Sequence, residues 1–283
     1  MKKAVLSIDV EDWYHLDYFD RNKCDTSYSM LDGLDEYLEI IEKRKLPSSF
    51  FVLGEIAKQR ISFYSELVNS GYDIGSHGWN HERPLKMSIQ DFKKDLDDSY
   101  EIMKIINPEK PFGYRAPCFS IDRDRLNLVE EKNFSYSSSR INFSSHPLYG
   151  SIDMEGYQLR DNFIHKKNDF FEFESSTIGI LGKNLPICGG GYLRILPWKV
   201  METLLKKYFK DNNFYFFYIH PFELSKKKLP KIPKSSFLTR KRFSIGHDSV
   251  AYKLEKLIDL LLLNGFEFTD FKNLKINLSC PDH

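Results

Sequence analysis

Two clusters in this sequence carry side chains that could bind a metal ion and move protons. The acidic cluster Asp9-Val-Glu11-Asp12 directly follows an apolar run, and the stretch Gly75-Ser-His-Gly-Trp-Asn-His81 places two imidazoles four residues apart. Neutral imidazoles suit Zn²⁺ and related divalent ions. Two imidazoles and one carboxylate leave coordination positions for water and substrate, as a catalytic site requires. The two clusters therefore predict a catalytic metal site, provided that the fold brings them together.

Two further polar residues follow apolar runs. His220 comes after the strongly apolar run 214–219, and Arg115 comes after the run 111–114. A buried histidine bonded to a backbone carbonyl is the alternative interpretation of His220. Active sites of α/β proteins lie at the carboxyl ends of parallel strands, so we expect Arg115 and His220 to meet Asp9 and the histidine pair.

The hydrophobic periodicity alternates between strands and helices, which predicts an α/β fold with a mainly parallel sheet, closed or nearly closed. The predicted strands are 3–8, 48–53, 72–74, 111–114, 134–136 and 214–219. The predicted helices are 30–45, 55–69, 88–106, 122–132, 198–209 and a final helix at 249–264. Periodicity weakens over 140–185, which indicates an insertion of loops and short strands. We expect one domain over residues 1–283.

Composition excludes several classes of protein. Lys and Arg number 41 against 40 Asp and Glu, so net charge gives no reason to expect nucleic-acid binding. The four cysteines form no C-x-x-C pair, and residues 1–9 are too short in apolar content for a signal peptide. No run approaches the roughly 20 apolar residues of a membrane helix. We therefore expect a cytoplasmic protein with at most peripheral membrane contact, and the sequence does not define its oligomeric state.

Six ordered motifs resemble those of the polysaccharide deacetylase family, also called carbohydrate esterase family four. The resemblance is greatest to a cytoplasmic branch that begins with an Asp-Val-Glu-Asp-Trp motif. The motifs are SIDVEDW at 7–13, SFFVLGE at 49–55, GSHGWNH at 75–81, GYRAP at 113–117, GGGYLRILPW at 189–198 and YIHPFEL at 218–224. This order of motifs covers most of the chain.

The resemblance implies a distorted (β/α) barrel of about seven strands that removes the acetyl group from an N-acetylated sugar in a glycan or glycan precursor. It implies one divalent metal ion, with Zn²⁺ favoured, which activates the attacking water. Residue by residue, Asp9 matches the base, His77 and His81 the metal-binding pair, Arg115 the residue that orients the base, His220 the acid, and the backbone N–H of Cys118 the oxyanion donor.

The chain departs from the common family pattern at two places. Where many members have two adjacent aspartates, this chain has Asp9-Val-Glu11-Asp12, so the third metal ligand is Glu11 or Asp12. Glu11 is favoured because it alternates with Asp9 in an extended chain. The family segment Tyr-Asp-Ser-Ser is here Tyr-Ser137-Ser-Ser, which leaves open what holds this loop and what tunes His220.

Four residues resemble the segments that line the family's substrate cleft: Tyr192, Arg194, Trp198 and Glu223. Trp198 is equally well interpreted as a core residue at the start of a helix. Residues 226–242 contain eight Lys or Arg and no acid, inside a basic loop insertion at about 225–247. This segment is either a lid near a phosphate-bearing or lipid-linked sugar or a solvated surface loop.

Two other functions remain open at this point. A hydrolase of the same fold could act on a non-sugar amide, as metal-poor allantoinase-like relatives do, although the presence of both His77 and His81 argues against that branch. A non-catalytic glycan-binding barrel is the second alternative, suggested by Ser137 in place of the family's aspartate. Metal content and acetate release distinguish the three.

Overall fold

The computed structural model describes residues 2–108, 112–143, 146–232 and 235–279, without the side chain of Leu238. The strands are β1 (Lys2–Val10), β2 (Ser49–Val52), β3 (Asp73–Ser76), β4 (Tyr136–Ser137), β5 (Gln158–Asp161), β6 (Ile164–Lys167), β7 (Phe170–Phe173), β8 (Thr177–Ile180), β9 (Lys183–Pro186), β10 (Phe214–Ile219) and β11 (Phe266–Thr269). The α-helices are α1 (Gly33–Lys43), α2 (Gly54–Gln59), α3 (Ile61–Asn69), α4 (Ile89–Ile106), α5 (Arg123–Glu131), α6 (Gly190–Ile195), α7 (Trp198–Asp211), α8 (Pro221–Leu224), α9 (Phe237–Ser244), α10 (Val250–Leu263) and α11 (Phe271–Ser279).

The central sheet is parallel and has β1 in its middle. Its strand order is β10-β1-β2-β3, and β11 also pairs with β1. Ser7 of β1 is level with Ser49 of β2 and with Tyr218 of β10. This register places the carboxyl ends of β1, β2, β3 and β10 at one edge, where Asp9, His77 and His220 emerge.

Parallel pairing continues beyond β3 through single bridges. Ser76 pairs with Tyr114, Tyr114 pairs with Ser137 of β4, and β4 pairs in parallel with β7. On the other side, Gly189 pairs with Tyr218 of β10. The prediction of an α/β fold with a mainly parallel sheet is confirmed.

Residues between β4 and α6 form the expected short-strand region. Strands β5, β6 and β7 pair antiparallel in sequence, and β8 and β9 form a separate antiparallel hairpin. The only part of this region that joins the parallel system by a named strand, among the described residues, is β7 through β4. The region thus adds one wall to the barrel and a surface hairpin.

The structure corrects several predicted boundaries. The predicted helix 55–69 is two helices, because Arg60 leaves the helical conformation at φ −138° and ψ 41°. The predicted strand 111–114 contributes a single bridging residue, Tyr114, which pairs with Ser76 and with Ser137, and residue 111 lies outside the described residues. The predicted basic loop at about 225–247 contains the helix α9.

The prediction that helix 249–264 is the final helix is wrong. Strand β11 and helix α11 follow it, and β11 enters the central sheet beside β1. Phe271, the first residue of α11, is fully buried inside the barrel. Its ring contacts the rings of Phe51, Tyr136, Phe173 and Phe216. These rings form an aromatic layer beneath the polar groups at the carboxyl ends of the strands.

Within the described residues, no helix combines the length and the apolarity that crossing a membrane requires.

Candidate active site

Asp9 and Arg115 form a buried ion pair at the carboxyl end of β1. Arg115 Nη1 donates to Asp9 Oδ1 at 2.6 Å, and both side chains are at most 3% exposed. The same Nη1 also donates to Ser7 Oγ, two residues earlier on β1. The guanidinium carbon lies 4.1 Å from the centre of the Phe51 ring, so a cation–π contact with this ring also stabilises the pair. Asp9 therefore has a fixed direction.

The loop 137–140 supplies the rest of the Arg115 environment. Arg115 Nε donates to the backbone oxygen of Ser138, and Nη2 donates to Ser138 Oγ. Ser139 Oγ accepts a hydrogen bond from the backbone N–H of Ala116. Because a buried guanidinium needs its donors satisfied, this loop determines where Arg115 can point.

Glu172 of β7 holds that loop in place. Its Oε1 accepts hydrogen bonds from the backbone N–H groups of Ser139 at 2.6 Å and Arg140 at 2.8 Å. Glu172 is level with Ser137 in the pairing of β4 and β7, and it is fully buried. The loop that contains Ser137 is thus held by a carboxylate from a strand more than thirty residues later in the chain.

Glu172 was not predicted as a functional residue. A signal was present, because Phe170-Phe-Glu-Phe173 places an ionisable residue inside an otherwise apolar strand. Buried acids in such a position need specific donors, which marks them for attention.

Glu11, His77 and His81 converge into one group that could hold a metal ion. Their nearest potential ligand atoms all lie within 4.8 Å of one another, and all three residues are buried. Glu11 Oε2 lies 2.6 Å from His81 Nε2. One carboxylate together with two imidazoles is a donor set that fits a divalent cation of the Zn²⁺ type.

The partner of each imidazole helps to define which nitrogen is free. His77 Nδ1 lies 2.9 Å from the backbone oxygen of Arg115, so its N–H donates there and leaves Nε2 for a ligand. His81 Nδ1 lies 3.9 Å from Asp17, a residue that sequence reasoning missed. No spacing rule connects Asp17 to His81, since they meet only in the folded chain.

Asp12 is turned away from this group. Its Oδ1 accepts hydrogen bonds from the backbone N–H groups of Trp13 and Met30, which fixes the chain after β1. His15 Nδ1 accepts from the backbone N–H of Asp12, while His15 Nε2 contacts Glu55 at 2.7 Å. Of the two alternatives for the third ligand, the structure brings Glu11 to the imidazoles and uses Asp12 to cap a turn.

Burial and charge set the protonation states of this group. Burial raises the pKa of Glu11, but the charge and hydrogen bond of His81 outweigh burial and lower it to about 2. Burial lowers the pKa of His77 to about 4. Burial lowers the pKa of His81 as well, but the charge of Glu11 and its hydrogen bond outweigh burial and raise it. At neutral pH, Glu11 is therefore ionised and His77 is neutral, as metal ligation requires, whereas metal binding would compete with the proton on His81.

A second possible ligand group, Asp17, His81 and Cys118, shares His81 with the first. Arg83 Nε already lies 3.0 Å from Asp17 Oδ1. Burial, with the charge of Asp17, raises the pKa of the Cys118 thiol well above its usual range, so the thiol stays protonated. Since metal ligation needs the thiolate, this second group is the poorer site.

The turn after Arg115 has an uncommon backbone. Cys118 and Phe119 both have positive φ, at 52° and 51°. Non-glycine residues in this region carry strain that persists only where surrounding contacts impose it, and such residues cluster at functional sites. The Cys118 backbone, predicted as the oxyanion donor, therefore lies in a constrained turn beside the ion pair.

His220 reaches the same centre from the carboxyl end of β10. Its Nε2 lies 3.5 Å from Glu11 Oε1, and its Nδ1 lies 3.0 Å from Glu223 Oε2. Burial lowers the pKa of His220, but the hydrogen bond to Glu223 and the charges of Glu11 and Glu223 outweigh burial and raise it to about 9. The alternative of a histidine bonded to a backbone carbonyl does not describe this residue.

A cavity of about 670 Å³ opens beside His220. Its aromatic lining comprises Tyr18, Phe19, Tyr149, Tyr192, Tyr218, Phe222 and Phe243. Lys241 and Arg242, from the basic segment, lie at its wall. Rings with a few polar groups suit a pyranose, whose faces are apolar and whose rim is polar.

The four predicted cleft residues separate into three kinds. Tyr192 lines the cavity and is partly exposed. Arg194 and Glu223 also border it, but they are 6% and 1% exposed and bond to each other. Trp198, the first residue of α7, is outside the cavity lining and packs against the hydrophobic core. The ammonium group of Lys256, a residue of α10, lies over its ring. The core interpretation of Trp198 describes its placement.

Comparison with known proteins divides the chain into two parts. Residues 20–137 match the family described as Polysaccharide deacetylase, and residues 138–275 match a Domain of unknown function (DUF3473). Strand β1, with Asp9, and Glu11 after its end both precede the first matched range.

Two relatives illustrate the sequence similarity. A peptidoglycan deacetylase of Helicobacter pylori is 26% identical over 117 residues, which are 41% of this chain and 40% of the relative. A peptidoglycan-N-acetylglucosamine deacetylase of Bacillus cereus is 25% identical over 118 residues, covering 40% and 43%. The chain thus spans less than half the length of these relatives.

Among solved structures, the Puue allantoinase superposes with a TM-score of 0.65 at 12% identity, covering 99% of this chain and 92% of that one. At this identity the likeness concerns the (β/α) barrel fold alone. The match over residues 20–137 and the deacetylase relatives show that this part of the chain is similar to the polysaccharide deacetylase family, carbohydrate esterase family four.

Proposed function

We propose that this protein is a metal-dependent hydrolase that removes the acetyl group from an N-acetylated sugar. The observation that carries the proposal is the meeting of three groups at one edge of the sheet. These groups are the Glu11, His77 and His81 cluster, the Asp9–Arg115 ion pair, and His220. The names of the relatives, which are peptidoglycan deacetylases, support the same reaction class.

A divalent ion such as Zn²⁺, held by Glu11, His77 and His81, would supply a polarised water and a Lewis acid for the acetyl oxygen. Asp9 takes a proton from the attacking water, with its free oxygen turned by the bond from Arg115 to Oδ1. His220 donates a proton from Nε2 to the departing amine nitrogen. We assign the donor to the developing oxyanion to the Cys118 backbone N–H, a contribution of roughly 3 kcal/mol in other hydrolases.

The residues that line the cavity favour a sugar that carries negative charge. Aromatic rings line its wall beside His220, and Lys241 and Arg242 add two cations. We propose a phosphate-linked N-acetyl sugar as substrate, with a lipid carrier as the extended form. Lys227 is less suited to this role than the sequence suggests, because its Nζ donates to the Ser29 backbone oxygen and lies 3.7 Å from Asp32.

Acetate release tests the proposal. The purified protein is assayed with free, oligomeric, nucleotide-linked and lipid-linked N-acetyl sugars, before and after chelation and after Zn²⁺ is restored. We expect acetate from at least one sugar, loss on chelation and recovery with metal. Full activity in metal-stripped protein would overturn the mechanism. Allantoin belongs in the same panel, since turnover of allantoin alone would favour the non-sugar amide alternative, and sugar binding without acetate would favour a binding barrel.

Charge reversal tests the phosphate. Arg242→Glu should raise KM for a phosphorylated sugar several-fold and leave KM for an uncharged oligomer unchanged, because only the former pairs with the guanidinium. Lys227→Glu is the matched control and should change neither. Equal effects on both substrates would remove the phosphate from the proposal.

A cytoplasmic location, with at most peripheral membrane contact, also remains a prediction. It rests on the cysteine pattern and on the basic segment 226–242, and fractionation of cells into cytosol, membrane and exterior tests it.

A further inference from the structure

Glu223 is bonded through both of its carboxylate oxygens. Oε2 lies 3.0 Å from His220 Nδ1 and accepts from the His220 backbone N–H, and Oε1 accepts from Arg194 Nε at 3.3 Å. The residue is 1% exposed. With both oxygens occupied and almost no exposed surface, this carboxylate is not free to bind a sugar.

Arg194 is bonded in turn to the basic segment. Its Nη1 donates to the backbone oxygens of Arg242, Phe243 and Ile245, at the carboxyl end of α9. The last carbonyls of a helix lack partners within it, and a cation there is favourable. The guanidinium thus connects the segment that walls the cavity to the carboxylate that contacts His220.

Two glycines make room for this arrangement. A Cβ on Gly190 would lie 2.1 Å from Glu223 Oε2, and a Cβ on Gly246, whose φ is 70°, would lie 2.1 Å from the Arg194 backbone oxygen. Such distances exclude any side chain unless the neighbours move. The glycines of the GGG motif and of the segment after α9 are therefore required by close packing.

We propose that Glu223 and Arg194 are positioning residues for His220: Glu223 holds the imidazole with Nδ1–H bonded and Nε2 directed at the departing amine, and Arg194 fixes Glu223 to the basic segment. The inference rests on the proposed function for the identity of the amine. It replaces the cleft-lining role that the sequence suggested for both residues. It also makes Glu223, three residues after His220, the residue that orients the acid.

The first test is Glu223→Gln, with Glu202→Gln as the matched control. Glu202 is a surface residue of α7 that pairs with Lys206, so its substitution should leave kinetics unchanged. For Glu223→Gln we expect kcat for acetate release to fall roughly 10- to 100-fold, the range typical of an outer hydrogen-bond partner, with KM and metal content unchanged. Unchanged kcat would overturn the proposal.

Substrates with different leaving groups distinguish a misoriented acid from a general loss of activity. A nitrophenyl acetate loses nitrophenolate, which needs no proton, whereas an N-acetyl sugar loses an amine, which does. The defect of Glu223→Gln should be large on the sugar and within about twofold on the ester. In a His220→Ala background, Glu223→Gln should add no further loss, because its effect passes through the imidazole. Equal losses on both substrates, or additive losses, would refute the proposal.

A spectroscopic measurement decides the matter if Glu223→Gln fails to fold or if no substrate releases acetate. The wild-type, Zn²⁺-loaded protein is labelled with ¹⁵N-histidine, and His220 is observed at a pH above its titration. We expect the proton on Nδ1, bonded to Glu223. A proton on Nε2 instead would overturn the positioning role, whereas failure of acetate release by the wild-type protein would count against the proposed function alone.

Discussion

Buried carboxylates lie at two levels of the barrel, and their neighbours differ. Glu11, at the mouth, faces the imidazoles of His81 and His220, and its pKa falls to about 2. Asp73, at the start of β3, accepts from the hydroxyls of Ser49 and Tyr136. Burial, with the charge of the nearby Asp270, raises the pKa of Asp73 to about 6.

The difference shows that burial alone does not determine the charge of an acid. Both residues are at most 1% exposed. Groups that become cationic stabilise the carboxylate at the mouth, whereas hydroxyls and a second acid leave the carboxyl at the base closer to neutrality. An acid kept ionised among imidazoles is suited to metal binding, and an acid surrounded by hydroxyls serves packing.

Glu11→Gln should have the largest effect. The amide cannot supply the negative charge that balances a divalent ion, so we expect loss of bound metal and a fall in acetate release of roughly 10³-fold or more. Metal analysis of the purified variant together with the acetate assay checks this. A variant that retains one equivalent of metal would remove Glu11 from the ligand set.

Asp9→Asn should reduce kcat by roughly 10²- to 10⁴-fold, the usual contribution of a positioned base. Unlike Glu11→Gln, it should retain metal, because Asp9 bonds to Arg115. The two variants thus separate the ligand from the base at one mouth. If Asp9→Asn were metal-free, the assignment of roles between these acids would be wrong.

Glu172→Gln should have an intermediate effect on both activity and stability. The substitution replaces the carboxylate, which accepts two hydrogen bonds from the loop 137–140, by a neutral amide. This weakens those hydrogen bonds and lowers the free energy of unfolding by about 1–3 kcal/mol. Activity should fall by about tenfold, since Arg115 loses part of its support. Urea unfolding and steady-state kinetics measure the two losses, and a stability loss with full activity would limit Glu172 to a structural role.

Asp73→Asn should have the smallest effect on activity, with kcat unchanged, and should alter the pH dependence of stability. The folded-state pKa of about 6 lies above the ordinary value of 3.8. The contribution of Asp73 is therefore fully present below about pH 4 and is lost as the pH rises through 6. Urea midpoints between pH 4 and 7 should change less in the variant than in the wild type. Parallel curves would place the titration elsewhere.

The sequence predicted the elements whose patterns are local. Strand β10 was predicted with its observed bounds, and the predicted helix 88–106 corresponds to α4, which Ser88 caps through its side chain. Elements without a local pattern were missed. Helix α6 begins in a run of glycines, and α9 lies in a basic segment with no apolar face, so neither has a helical signature.

The site shows the same division. The candidate metal and acid–base residues stand at the ends of strands, where a sequence can place them, and the structure brings Asp9, Glu11, His77, His81, Arg115 and His220 together. The groups that orient them come from unrelated positions. Nothing in the spacing of Glu172 and Ser139, or of Arg194 and Phe243, indicates a bond, because these contacts depend on packing between elements distant in the chain.

The central position of β1 has a consequence for how the protein is made. Ser7 donates to the backbone oxygen of Phe217, 210 residues later, and the next neighbour, β11, is later still. During translation the apolar strand β1, which carries Asp9, lacks its partners on one edge until most of the barrel has left the ribosome. Pairings of such sequence separation are slow to form and expose unpaired strand edges meanwhile. Nascent chains of this protein are therefore expected to need chaperone protection at β1, and the candidate site, which includes His220, can assemble only after synthesis has passed β10.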